Sequence, residues 1–195
     1  MLTTVAGVSS AQASLPKKSL IDTLGNPDRS DDTRLRALEV LTCLLRSGKK
    51  TIGEVLPVVI KSASNTKEQP TKVRIKALVF FNNNFQLIQN PNTIEELIDL
   101  VADNFQAREG GGPTFSKITS ESFELLKKLI DFVTKEDPTS PVVSKFRQRE
   151  EDIMNELVLL EGYAGLDSRL EATRLWLLDK LILSSNVPSP QGYCI

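Results

Sequence analysis

Apolar residues along this chain of 195 residues recur at spacings of three and four, in blocks separated by short polar turns rich in Gly, Pro, Asn and Asp. That spacing places apolar side chains on one face of an α-helix. A short helix is predicted over Lys17–Leu24, stopped by Gly25-Asn26-Pro27. Asp31 or Asp32 caps a second, which runs to about Ser47 with Leu35, Leu38, Leu41 and Leu45 inside and Gly48 as its stop. Thr51 and Glu54 form a capping box that opens a third. Its inner face is Ile52, Val55, Leu56, Val59 and Ile60, and Pro57 is expected to kink it. After a polar linker at 62–69, Pro70 suits the first turn of a fourth helix carrying Val73, Ala77, Phe81, Phe85 and Ile88. Asn82-Asn83-Asn84 is its weak point, because Asn competes for its own backbone. Asn90-Pro91 is predicted to end it.

A second capping box, Thr93 with Glu96, opens a fifth helix with Ile94, Leu97, Ile98, Val101 and Phe105 inside. A loop follows from Gln106 to Lys117, and Thr119 or Ser120 caps a sixth helix carrying Phe123, Leu126, Ile130 and Val133. Asp137-Pro138 and Ser140-Pro141 open a seventh with Phe146, Ile153, Leu157 and Leu160 in register. Gly162 and Gly165 close it, and Asp167 caps an eighth. No segment alternates as a strand does.

The two capping boxes lie 42 residues apart, and Arg34-Leu35-Arg36-Ala37-Leu38 matches Arg74-Ile75-Lys76-Ala77-Leu78 at an offset of 40. Arg169-Leu170-Glu171-Ala172 is a fainter echo. This spacing resembles the period of HEAT or armadillo solenoids. The predicted fold class is all-α, with about seven to eight helices in antiparallel pairs, as a compact helical bundle or a short HEAT-like solenoid. Residues 1–16 are expected to be a flexible N-terminal segment, 17–184 an all-helical domain, and 185–195 a C-terminal tail. The Gly-rich loop 106–118 could divide the domain into lobes at 17–105 and 119–184.

Composition changes this picture in two ways. There is no histidine, so Ser-His and Cys-His nucleophile pairs are excluded. The net charge of -1 also hides an asymmetry. Residues 1–90 hold 13 Lys+Arg against 7 Asp+Glu, a balance of +6; residues 91–195 hold 11 against 18, a balance of -7. Such separation favours contacts between subunits. Cys43, in an apolar run, reads as a small buried hydrophobe, and with only one other cysteine a reducing compartment is the default. The first fifteen residues lack the basic n-region of a signal peptide, and a cytoplasmic location is expected.

Candidate chemistry is sparse. The acidic run Glu150-Glu151-Asp152 follows Lys145, Arg147 and Arg149, with Arg147 and Glu151 spaced to pair as a solvated face. Gly110-Gly111-Gly112-Pro113 lacks the Gly-Lys-Ser/Thr of a phosphate loop and reads as a hinge. No catalytic residue, cofactor or metal is expected. Lys61, Lys67, Lys72, Arg74 and Lys76 form the candidate anion-binding patch, since the last three oppose their own helix dipole. The last helix is apolar on nearly every face, so it is central to the core or covered by a partner. Trp176, Leu177 and Leu181 are the candidate interface residues, with Trp176 as anchor. The terminal Tyr193-Cys194-Ile195 has the form that a PDZ-type groove accepts. The expected function is a non-enzymatic helical adaptor or scaffold acting on protein partners or by self-association. The alternative is a self-assembling helical structural protein, like a viral matrix or nucleoprotein component, that binds nucleic acid or an anionic membrane through its basic N-terminal half.

Overall fold

The computed structural model describes residues 17–47, 52–66, 69–106, 113–161 and 167–185. The N-terminal segment, Thr51, Lys67, the glycines of the 106–118 loop, Gly162, Gly165 and the chain beyond Ser185 lie outside the described residues. Eight α-helices and no strand occur among those described: α1 Lys17–Gly25, α2 Asp31–Arg46, α3 Leu56–Ala63, α4 Thr71–Asn84, α5 Pro91–Gln106, α6 Pro113–Val133, α7 Pro141–Leu159 and α8 Ser168–Ser185.

The turn chemistry sets the helix ends, in several places one or two residues from where the sequence placed them. Ser30, rather than Asp31 or Asp32, caps α2 by accepting from the Thr33 N–H. Pro57 does not kink a helix, because a 3-10 turn at Ile52–Glu54 comes first and α3 starts only at Leu56. In that first turn the missing proline N–H costs nothing. Asn90-Pro91 opens α5 instead of merely ending α4: Asn90 Oδ1 accepts from the Asn92 N–H, and Pro91 takes the first helical position. Thr93 and Glu96 therefore sit inside the helix. α6 begins at Pro113, which makes Thr119 and Ser120 internal to it. At the asparagine triplet α4 does give way, passing into a 3-10 turn at Phe85–Leu87.

Each odd-numbered helix packs on the even-numbered helix that follows, giving four hairpins. The hairpins then stack: α1, α3, α5 and α7 form one layer and α2, α4, α6 and α8 the other, each helix touching the one two places on. The result is a compact all-α packing of helix pairs. One buried core runs through it from Leu20 to Leu181. The predicted inner stripes of α5 and α7 are wholly buried.

A buried arginine recurs in this stack. Arg34, on α2, is 1% exposed; its Nε donates to the Leu24 carbonyl at the end of α1 (2.9 Å) and its Nη2 to Gln69 Oε1. Arg74, at the matching position of α4, donates to Asn104 Oδ1 (2.7 Å), and the Asn104 amide donates in turn to the Ala63 carbonyl at the end of α3. Arg174, on α8, donates to the Leu157 carbonyl of α7 (3.1 Å) and pairs with Glu171. The last carbonyls of a helix have no intrahelical partner, and at a hairpin bend they are shut off from water. In the first and fourth hairpins a guanidinium satisfies one of them directly and complements the negative end of the helix dipole, and in the second the Asn104 amide does so with Arg74 behind it.

Arg34→Met should therefore lower stability in urea denaturation by about 1–3 kcal/mol, because it strands a buried acceptor. The same change at exposed Arg36, two residues on, should cost less than about 0.5 kcal/mol. Equal costs would contradict this account of the hairpins.

Candidate interaction surfaces

The last hairpin is the place where large apolar side chains reach solvent. Seven such residues are exposed among those described, and five of them, Val158, Leu159, Leu175, Trp176 and Ile182, lie on α7 and α8. On α8, Leu170, Arg174, Leu177 and Leu181 turn inward at spacings of four, three and four. Leu177 and Leu181 are fully buried core residues and are not available to a partner, contrary to the sequence reading. Leu175 and Ile182 look outward, with Leu175 at 54% exposed, and Leu178 beside them is half-buried against the core. The hydrogen bond from Arg174 to the Leu157 carbonyl ties the end of α7, next to exposed Val158, to the first half of α8. Trp176 is 37% exposed and sits on the seam with α6, where the amines of Lys127 and Lys180 each lie 5.7 Å from its ring.

The basic patch is not one surface. Arg74 is buried and serves the α3 end through Asn104, and burial pushes its guanidinium below the usual range. Lys76 is exposed but lies 3.6 Å from Glu39 of α2. Lys61 and Lys72 are exposed on α3 and α4, and Lys67 is outside the described residues. Arg74 opposes its own helix start because it holds Asn104, whose amide bonds the end of α3.

The acidic run on α7 is also organised differently. Its ion pairs run through Lys145 and Arg149 rather than from Arg147 to Glu151: Lys145 meets Asp99 at 2.8 Å, and Arg149 meets Asp99, Asp103 and Asp152 at 2.7–3.1 Å. Two of these carboxylates belong to α5, so the network ties α5 to α7. Cys43 is exposed, not buried, at the rim of a groove of about 370 Å³ between α2 and α4, floored by Leu35, Leu38 and Phe80. The groups with displaced proton affinities have structural tasks. Hydrogen bonds from Thr139 hold the Asp137 carboxyl below its usual range, and those from Arg174 do the same for Glu171. Among the described residues, no cluster of three or more His, Cys, Asp or Glu is placed to hold a metal ion, and no helix is long and apolar enough to cross a membrane.

Charge reversal separates the two kinds of basic residue. Lys72→Glu places a carboxylate in the first turn of α4, where it complements the dipole, and should leave the melting temperature unchanged or raise it. Arg74→Glu buries a charge without a partner and should cost about 3–5 kcal/mol. A neutral Arg74→Glu in thermal denaturation would show that this side chain is not buried in solution.

No family model, curated protein or solved structure matches the chain.

Proposed function

We propose that this protein is a non-enzymatic helical scaffold that works by binding protein through the outer face of its last hairpin. The observation that carries the reading is the strip of Val158, Leu175 and Ile182 on α7 and α8, beside half-buried Leu178. Grouped apolar exposure of this kind at a rigid helical face marks sites of protein association. Two further features support it. Among the described residues, the arginines and carboxylates with displaced proton affinities are occupied in holding helix ends and turns. The strip lies on two packed helices, so it is pre-organised and loses little entropy on binding.

A photo-crosslinking residue in place of Val158 tests this directly. Irradiation in a cell extract should give discrete protein adducts. Leu175→Glu, at a position already exposed, should reduce their yield at least about tenfold, as expected when a contact at the centre of an interface is lost. Adducts of unchanged yield in the variant would show that the strip is not the working surface.

A further inference from the structure

The two ends of the stack are the two halves of a single repeated seam. In the α2–α4 seam, Phe80 of α4 is 2% exposed and lines one groove with Leu35 and Leu38 of α2, while Lys76 bridges to Glu39 at the rim. An offset of 40 carries Lys76 and Phe80 onto Arg36 and Val40 of α2. Both are exposed, Val40 at 42%, because no described helix packs on the far side of the first hairpin. The first hairpin thus presents the face with which the second hairpin covers the first, and among the described residues no helix lies under it. At the other end, α8 presents Leu175 and Ile182 beside half-buried Leu178, with Asp179 exposed next to them, and no described helix packs beyond it.

We infer that a second copy of this chain covers that strip: α8 of one copy docks on α2 of the next, continuing the stack across the joint. Val40 then lies beside Leu175 and Ile182 in the place that Phe80 takes across the groove from Leu35 and Leu38, and Arg36 faces Asp179 as Lys76 faces Glu39. The charge balance favours this direction of approach, since the half that contains α2 carries +6 and the half that contains α8 carries -7. The inference rests on the reading of the strip as a protein-binding surface and names its partner. A joint between two different faces does not close on itself, so assembly is open-ended, and it weakens with salt as far as the charge balance contributes.

Sedimentation velocity on the full chain at rising concentration tests it. The mean mass should pass that of a dimer. Val40→Glu and Leu175→Glu should each be monomeric with an unchanged helical circular dichroism spectrum, since both positions are exposed. Mixed together, they should form a dimer that grows no further, because each variant keeps one intact end and the two intact ends match. Three results would overturn the inference. One is a wild type that stays monomeric at every concentration. Another is a Val40→Glu protein that assembles like wild type, which would place α8 against α8. The third is a mixture that stays monomeric. A monomeric wild type that still yields Leu175-dependent adducts would remove the second copy and leave the scaffold function standing. Loss of both would remove both.

Discussion

The carbonyl groups at the end of the first helix in a hairpin set the constraint on which the rest of this structure depends. A hairpin folds the second helix back over that end, so the last carbonyls lose water and have no partner within their own helix. Left alone, each would cost as much as a stranded hydrogen bond. The second helix supplies the answer from Arg34 in the first hairpin and Arg174 in the fourth, and in the second hairpin Asn104 of α5, held by Arg74, supplies it. Two of these contacts also reach forward in the stack. Gln69, which takes the second bond from Arg34, stands at the entrance to α4, and Asn104 belongs to α5. One guanidinium therefore closes its own hairpin and fixes the next against it. The charges of Arg34 and Arg174 are offset in the interior by the partial negative charge of the helix ends they bond, and that of Arg174 also by Glu171.

Stacking follows from this. Once each hairpin is closed, its two helices present one stripe backward and one forward, and neighbours bury them in alternate layers. Interior hairpins spend both stripes on the core. Terminal hairpins spend only one, so apolar residues come to the surface at the ends. The strip on α7 and α8 is a product of how the stack is built, and a scaffold function built on it needs no site beyond the fold itself.

Much of this was legible in the sequence. The inner stripes of α5 and α7, the Asp167 cap and the offset of 40 all follow from spacing and turn chemistry, and Asp167 Oδ1 does accept from the Arg169 and Leu170 N–H groups. Errors arose where one residue type answers two needs. Proline after a polar residue both stops and starts helices, so Asn90-Pro91 was read as an end when it is a beginning. An arginine near a helix start suggests anion binding when only its own helix is considered, and the neighbouring helix end that explains Arg74 is 41 residues away from Asn104 in sequence. On α8 both stripes are apolar at helical spacing, so periodicity finds the segment but cannot choose between Leu177 with Leu181 and Leu175 with Ile182. Which stripe turned outward was decided by packing on α6 and α7.

Native-state hydrogen exchange, resolved by residue, tests the stacked-hairpin account most directly. In a linear stack held by nearest-neighbour contacts, protection is set by how many neighbours each hairpin has. Amides of α4 and α5 should therefore exchange most slowly, with protection falling towards α1 at one end and α8 at the other. Uniform protection through all eight helices, or greatest protection in α1 and α8, would contradict it.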